Sequence, residues 1–329
     1  MATSAHSPRA GRFLRGALLA LALASICGPS PASAQTQAQA ATPPQRPELQ
    51  AALAKADAGD PAPLTALADA GDVDAQYFAG VMYLFGRGSI AKDPKRGCAY
   101  AQKASAKRGD AMHLVGLCYQ SGAGGAPDKA KAEAAYTRAS EMGFAKSKCA
   151  LGQMLMTEPA QAKRGLALCE EAAKTGDADA QAAVGNAYFS GAVVKADHAA
   201  ARGWYEKAAK QNNLDAGRRL GEMYAKGDGG RKDTKKAMAV WTANDKAGDP
   251  LVAILVADQL FSELTGGRTP GPGTYAFKGG VPQADLDVVE EWYQQALDRD
   301  PRPDVKQRAK YAIAIVRGFK TAPQTTKRR

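Results

Sequence analysis

The apolar residues of this chain recur at helical rather than strand spacing. In most of the chain they fall at i, i+3, i+4 and i+7, which is typical of an amphipathic helix. Ala216, Leu220 and Tyr224 form one such apolar face. Each pair of helical runs is closed by a glycine or asparagine, residues that tolerate the left-handed backbone at a helix C-terminus. Four such junctions carry an aspartate that we predict to cap the next helix: Gly71-Asp72, Gly109-Asp110, Gly176-Asp177 and Gly248-Asp249.

The helical runs belong to a repeat. A glycine preceded by a small or aliphatic residue occurs at positions 80, 116, 152, 185 and 221, in steps of 36, 36, 33 and 36 residues. Such a period marks a solenoid in which one unit cannot bury its apolar face alone, so neighbouring units must stack. A glycine inside a helix costs about 1 kcal/mol relative to alanine. We therefore expect it to allow close packing against a facing helix.

Further residue types recur at fixed offsets from this glycine. A tyrosine follows three positions later in most units, and then come a glycine-rich loop, an aspartate and a second helical run. That second run carries an aromatic residue and a Lys-Ala or similar ending, as at Trp204-Tyr205 and Lys207-Ala208. The pattern resembles the Sel-one-like repeat (SLR), a relative of the tetratricopeptide repeat. The resemblance implies an all-α, right-handed α-solenoid of antiparallel helix pairs, with first helices lining a concave binding groove.

The chain divides into segments of different character. Residues 1–34 are predicted to be a signal peptide, because three arginines precede a short apolar run and the small motif Ala32-Ser33-Ala34. Cys27 is an alternative lipid-attachment site, but Ile26 before it does not fit. We expect a linker at 35–47, the solenoid at 48–320 and a disordered basic tail at 321–329. The predicted units are 72–109, 110–143, 144–176, 177–212, 213–248 and an atypical 249–300 with an insertion at 265–284.

Four cysteines remain beyond the signal segment, an even number in a chain with an export signal. Cys98 and Cys118 are 20 residues apart, as are Cys149 and Cys169. This separation places each pair on consecutive antiparallel helices at similar heights, so we predict disulfides within each pair. A Cys118–Cys149 link would indicate a different helix register. Four buried free thiols remain the alternative.

The charge of the chain limits its partners only weakly. The formal net charge is +11, and removal of the three arginines in residues 1–34 leaves +8. Lysines alternate with acids along the helices, so we interpret the positive charge as diffuse and predict no nucleic-acid partner. An anionic envelope component stays open. No stretch beyond the signal segment approaches the length of a transmembrane helix, and we expect a monomer.

Two short motifs point toward an enzyme, although their context does not fit. Ser89-Ile90-Ala91-Lys92 and Lys174-Thr175-Gly176 have the S-x-x-K and K-T-G forms of penicillin-recognising enzymes. The repeat places the first in a loop and the second at a helix end. His113 and His198 lack a partner at metal-ligand spacing. We therefore predict no catalysis, no metal and no cofactor, and keep a cell-wall or β-lactamase-like hydrolase as the alternative.

The predicted function is an exported scaffold, periplasmic or secreted, that binds a protein or peptide of the cell envelope through its concave groove. Two columns of residues share one face of the first helices because they are four residues apart. One column follows the repeat glycine and the other precedes it by three positions. The candidate binding residues are Gln153, Asn186 and Glu222 in the first column, and Tyr77, His113 and Arg218 in the second.

Overall fold

A computed structural model describes residues 46–268, 270 and 281–321 of the chain. The chain separates into two units, residues 1–50 and 51–329, and the second is described here by itself. The predicted signal peptide, most of the linker and residues 322–329 lie outside the described residues. Those described contain only α-helices as regular structure: α1 Pro47–Asp57, α2 Ala62–Asp69, α3 Val73–Phe85, α4 Pro94–Ala104, α5 Gly109–Ser121, α6 Lys129–Glu141, α7 Lys146–Met156, α8 Ala162–Lys174, α9 Ala178–Ser190, α10 His198–Ala209, α11 Leu214–Lys226, α12 Thr234–Lys246, α13 Ala253–Thr265, α14 Gln283–Arg299 and α15 Pro303–Thr321.

Consecutive helices from α2 to α15 pack against each other. First helices also contact the first helix of a neighbouring unit, as α3 contacts α5, α7 contacts α9 and α9 contacts α11. We call α3–α4, α5–α6, α7–α8, α9–α10 and α11–α12 units one to five. This stacking confirms the predicted all-α solenoid of helix pairs. None of the described helices is long and apolar enough to span a lipid bilayer.

Two of the four predicted N-caps at the unit junctions are confirmed. Asp72 accepts a hydrogen bond from the Ala75 amide at 2.8 Å, and Asp177 accepts one from the Ala180 amide at 2.7 Å. Each carboxylate satisfies an amide that has no partner within its own helix. Gly71 and Gly176 precede these caps with φ of 96° and 100°, the left-handed conformation that the sequence pattern predicted.

The predictions at Asp110 and Asp249 were wrong. Helix α5 begins at Gly109 with Arg108 at its N-cap, so Asp110 lies inside the first turn and pairs with the Arg108 guanidinium at 2.5 Å. At the other junction, Val252 is the N-cap of α13, while Asp249 accepts from the Leu251 amide at 3.0 Å. In both cases an arginine binds the carboxylate, and the local cap pattern does not contain that information.

The aspartate that recurs before each second helix has a capping role that the sequence reading left unassigned. In four of the five units its side chain accepts a hydrogen bond from the amide three residues later, at 2.9 to 3.0 Å. Unit three has no aspartate there, and the N-cap of α8 is Gln161, whose side chain forms no cap hydrogen bond. The capping aspartates are Asp93, Asp128, Asp197 and Asp233.

The repeat glycine allows an aromatic side chain of the second helix to lie against the first helix. A methyl group at Gly116 would lie 2.5 Å from the Tyr136 ring, and one at Gly185 would lie 2.8 Å from the Tyr205 ring. At Gly221 the obstructing ring is that of Trp241. These rings are almost completely buried. The close packing expected from the glycine column is therefore confirmed.

Unit three differs from units two, four and five. It shares with unit one a repeat glycine that faces backbone, since a methyl group at Gly80 would lie 3.3 Å from the Gly97 carbonyl oxygen. No aromatic residue faces Gly152, and a methyl group there would lie 2.4 Å from the carbonyl oxygen of Gly165 on α8. The two helices thus approach through their backbones. Their connecting loop spans 157–161, whereas the loops of units two and four span 122–128 and 191–197. This loop is two residues shorter, which accounts for two of the three residues by which the 33-residue step falls short of 36.

The four cysteines lie in the two predicted pairs. The sulfur atoms of Cys98 and Cys118 are 2.04 Å apart, and those of Cys149 and Cys169 are 2.16 Å apart. The two pairs have the same separation along the chain but occupy different positions in the repeat. The first pair joins α4 to α5 and therefore links units one and two, whereas the second joins α7 to α8 inside unit three.

The last three helices share one core. Phe261 of α13, Tyr293 of α14 and Val316 of α15 are fully buried within it. The predicted insertion at 265–284 follows α13, and its residues 269 and 271–280 lie outside the described residues. Helix α15 therefore covers the apolar face that the last helix pair would otherwise expose, as terminal elements of solenoids do.

Candidate binding site

Five of the six candidate binding residues line two cavities on the face formed by first helices. His113 and Gln153 line the upstream cavity, which has a volume of about 200 Å³ and is bounded by α5, α7 and the start of α9. Asn186, Arg218 and Glu222 line the downstream cavity of about 360 Å³, bounded by α9, α11 and α13.

Tyr77 lines neither cavity. Its side chain is only 9% exposed and lies in the core between units one and two. The Arg108 guanidinium lies over its ring, 4.4 Å from the ring centre. Tyr77 thus occupies the predicted column, but Arg108, from the connection between α4 and α5, covers it. We leave Tyr77 out of the proposed binding surface for this reason.

The upstream cavity has a neutral histidine in its wall. His113 Nδ1 lies 3.0 Å from the Ser147 hydroxyl oxygen, and the ring contacts the aromatic rings of Tyr136 and Phe144. Burial and the nearby Lys146 ammonium lower the pKa of His113 to about 4, against a smaller opposite effect of Asp110. The imidazole is therefore uncharged at neutral pH and can offer a hydrogen bond rather than a charge.

The contact between His113 and Ser147 combines a base with a hydroxyl, as in nucleophilic catalysis. Ser147, however, is completely buried, so its oxygen is not accessible to a substrate.

The other enzyme-like motifs lie elsewhere. Ser89 lies in the turn between α3 and α4, and Lys174 is the last residue of α8. In the part of the chain that the structure describes, no group of three or more His, Cys, Asp or Glu residues could hold a metal ion.

The remaining polar groups of the upstream cavity are carboxamides and one ion pair. The Tyr136 hydroxyl donates to Gln120 Oε1 at 2.6 Å, and Gln120 is exposed. Gln153 is exposed. Lys146 and Asp179 form an ion pair at 3.4 Å. This wall can therefore exchange hydrogen bonds with a polypeptide backbone. Gln120 lies four residues after the repeat glycine, a column that the sequence analysis did not include.

The downstream cavity is lined by arginine side chains, but they are not equivalent. Arg218 donates to the buried carboxylate of Asp249 at 2.6 Å and also contacts Asp215. Since a buried carboxylate without a partner is strongly destabilising, Arg218 supports the junction between units. Arg219 is more than half exposed, and its guanidinium lies 3.8 Å from Glu222. Arg219 is therefore available to a ligand, and the sequence columns missed it by one position.

Asn186 connects the downstream cavity to the core of unit four. The Tyr205 hydroxyl donates to Asn186 Oδ1 at 2.6 Å, which fixes the carboxamide at the cavity wall. Arg302 closes the far side and is held by the fully buried Asp300, whose carboxylate lies 2.6 Å from the guanidinium. Leu251 and Leu255 supply an apolar patch between these polar groups. The cavity thus offers both hydrogen bonds and apolar contact.

This architecture defines a class of protein, the α-solenoid built from helix pairs. Within that class, residues 73–108, 109–144, 178–213 and 215–239 match the family described as Sel1 repeat. The chain is thus a Sel1 repeat protein, and the predicted resemblance is confirmed. The matched segments do not include unit three, which lacks the aromatic and the capping aspartate of the other units.

Solved structures of similar fold come from several bacteria. A protective antigen of uropathogenic Escherichia coli with an SLR fold matches at a TM-score of 0.55 and 24% identity, over 79% of this chain and 52% of that one. A Sel1 repeat protein of Oxalobacter formigenes has a TM-score of 0.48 and 28% identity, with 60% of each chain covered. An immunity protein of Pseudomonas aeruginosa has a TM-score of 0.46 and 20% identity, covering 70% of this chain and 83% of that chain.

The chain spans about half to three fifths of the length of the first two of these structures. The first likeness shows the fold alone. No curated protein matches the sequence.

Proposed function

We propose that the protein is an exported, monomeric scaffold that binds an extended segment of a cell-envelope protein across the upstream and downstream cavities. The observation that carries this proposal is the position of the two cavities on one face of the first helices. Both combine carboxamide groups with ion pairs and apolar side chains. Such a surface suits a polypeptide, which presents backbone donors and acceptors together with mixed side chains.

Export is supported by the cysteine pairs. Disulfides persist in oxidising compartments and are rare in the cytosol of most organisms. The predicted signal peptide at 1–34 is consistent with that compartment. The intact mass of the protein recovered from the envelope should correspond to a chain that begins at Gln35. A mature N-terminus at a lipidated Cys27 would instead replace the signal-peptide proposal with a membrane anchor.

Groove binding can be tested by photo-crosslinking. A photoreactive amino acid at Gln153 or Glu222 should crosslink to the same envelope protein, since both positions would contact one extended segment. The control position is Gln102, which is exposed on the second helix α4. An adduct formed equally from Gln102 would contradict the groove assignment.

Substitution then tests whether the contacts contribute to affinity. The groove variant is Gln153→Ala, Arg219→Ala and Glu222→Ala, and it spares Tyr77 and Arg218 because both are structural. Loss of two or three contacts at the rim of the groove should lower the affinity for the partner by about tenfold or more. The melting temperature of the variant should stay unchanged. The matched control replaces the same residue types on second helices, Gln102, Arg138 and Glu141, where Arg138 and Glu141 form a similar ion pair at 3.2 Å. Equal weakening in both variants would count against the groove.

A further inference from the structure

The positive charge of the solenoid is concentrated on one of its edges. We define the loop edge as the five segments that connect first to second helices and include the first turn of each second helix. These segments are 86–97, 122–132, 157–165, 191–202 and 227–237. The turn edge comprises the opposite connections, 102–112, 138–148, 171–181, 207–217 and 244–254. Because the helices in each pair are antiparallel, the two sets lie at opposite ends of the helix pairs.

The two edges contain the same number of residues but differ in charge. The loop edge contains fourteen Lys and Arg residues against six Asp and Glu, whereas the turn edge contains ten against eight. The difference of eight on the loop edge equals the net charge expected for the chain without residues 1–34. The expectation of a diffuse positive charge was therefore wrong. The difference in charge between the two edges is not apparent in any single unit, because each unit contributes only two to four cations to the loop edge.

The cations of the loop edge occupy positions that disfavour them. The N-terminus of a helix carries a partial positive charge, so a cation in the first turn costs about 0.3 to 1 kcal/mol. None of the second helices of units one to five has an acid in its first turn, and four of them have two cations there, although an aspartate caps four of the five helices. First helices follow the opposite rule, with an acid in the first turn of four out of five. A local preference that is violated in four of five units marks those positions as candidates for function.

Many of these cations are also unneutralised. Six of the fourteen pair with nearby carboxylates: Arg87, Lys129, Lys131, Arg164, Arg202 and Lys236. Arg96 lies over the Tyr83 ring, 4.3 Å from its centre. Within the described residues, seven others are exposed and form no ion pair: Lys92, Lys95, Lys163, Lys195, Arg231, Lys232 and Lys235. These seven come from units one, three, four and five, and the segment of unit two has two cations against one acid. The positive potential therefore extends along the whole stack instead of marking a single pocket.

The composition of the loop edge selects the kind of polyanion. Its five segments contain no Phe, Tyr or Trp, and their large aliphatic residues Ile90, Val193 and Val194 are half-buried. The exposed Phe85 directly precedes the first segment and is a single ring, not a series of rings along the stack. Single-stranded nucleic acids are held largely by stacking on aromatic side chains, and interfacial membrane binding uses buried apolar or aromatic residues. Both are therefore disfavoured. Lysines outnumber arginines, and lysine acts as a point charge without the fixed fork that recognises phosphate. A flexible chain of carboxylates suits this surface best.

We propose that the loop edge is a second interaction surface, which binds an acidic polypeptide segment by electrostatic attraction along the stacked units. The surface is distinct from the groove, so this proposal and the proposed function can fail independently. Binding of this kind accelerates encounter and weakens as salt screens the charges. A partner with an acidic tail would thus be attracted first to the loop edge.

The test compares two variants that lose the same charge. The edge variant replaces Lys95, Lys163, Lys195, Lys232 and Lys235 with glutamine. The control variant makes the same replacement at Lys107, Lys174, Lys207, Lys210 and Lys246 on the turn edge. All ten lysines are exposed, so both variants should keep the helical circular dichroism and melting temperature of the parent.

The probe is a fluorescent oligoglutamate, and the readout is fluorescence anisotropy at several salt concentrations. The edge variant should bind about tenfold more weakly than the parent at low salt and show a smaller salt dependence, while the control stays within about twofold. Equal loss in both variants, or no loss in the edge variant, would overturn the proposal. Tighter binding of a single-stranded oligonucleotide or of phosphatidylserine vesicles would overturn the assignment to an acidic polypeptide.

Discussion

Units two and three are adjacent and have the same helix-pair fold, but different interactions hold them together. In unit two the Tyr136 ring lies against Gly116, and its hydroxyl donates to Gln120. Unit three has Cys169 at the corresponding position, bonded to Cys149, and its helices touch where Gly152 meets Gly165. The Cα atoms of the bonded cysteines are 4.1 Å apart.

The difference shows that the stack requires a certain spacing between helices rather than a certain side chain. An aromatic ring fills the space between helices that are further apart, and a disulfide with two glycines suits helices in backbone contact. Unit three also lacks side-chain caps on both of its helices. Its stability therefore depends more on the covalent link than that of its neighbours.

Truncation of the aromatic ring should have the largest effect. Tyr136→Ala removes a fully buried ring and leaves a cavity beside Gly116, which should lower the free energy of unfolding by about 3 to 5 kcal/mol. Urea denaturation followed by circular dichroism measures the loss. Tyr136→Phe is the control, since it removes only the hydrogen bond to Gln120 and should cost about 1 kcal/mol. A loss below 1 kcal/mol for the alanine variant would show that the ring does not hold unit two.

Removal of the disulfide in unit three should come next. Replacement of Cys149 and Cys169 by alanine should lower the free energy of unfolding by about 3 kcal/mol, as expected for a loop of 20 residues. The same change at Cys98 and Cys118 removes a loop of equal length but leaves the aromatic residues of units one and two in place. We therefore expect a smaller loss there. The reverse order would contradict the special dependence of unit three on its disulfide.

The glycine contact of unit three gives a third test. Gly152→Ala places a methyl group 2.4 Å from the Gly165 carbonyl oxygen, so the helices must move apart. Over-packing of this kind should cost about 1 to 3 kcal/mol. Gly203 in α10 is the control, because a methyl group there meets no atom within 4 Å. Gly203→Ala should stabilise the protein by up to about 1 kcal/mol through helix propensity. Similar effects of both changes on the melting temperature would exclude the close contact.

The junction between units two and three should respond weakly to pH through His113. Because its pKa in the folded protein is about 4 and lies below the unfolded value of 6.5, the unfolded state binds more protons between these values. Stability is complete above pH 6.5 and declines as the pH falls toward 4. From pH 7 to 5.5 the loss should be about 1 kcal/mol. Denaturation at both pH values should show that His113→Gln reduces this difference. An unchanged difference would assign it to other groups.

The sequence was sufficient to predict the helices and their stacking. Helical periodicity, the glycine column and the junction signals are local, and each unit repeats them, so errors at one junction do not spread to the others. The cysteine spacing also predicted the pairs, because any two residues on consecutive antiparallel helices at equal height come close together. It could not distinguish a link between units from one within a unit, since both separations are 20 residues.

The binding face was predicted less well. The two columns identified five residues that line the cavities, but Tyr77 in the same column is covered by Arg108, 31 positions further along the chain. Arg218 likewise donates a hydrogen bond to Asp249, which is also 31 positions away. Neighbouring units place such partners together, and their identity varies from unit to unit. A column therefore indicates which face a residue occupies, but not whether it is free to bind.

The class of fold, the order of the helices and the cysteine pairs could be predicted from the sequence, because they depend on short-range periodicity and on chain spacing. Tertiary contacts were needed to show which column residues face a cavity and how unit three compensates for its missing aromatic residue. These properties arise when residues about one repeat apart are brought side by side. The physical reason is that stacking converts a sequence period into lateral contact, and the contacts then depend on the particular residue in each unit.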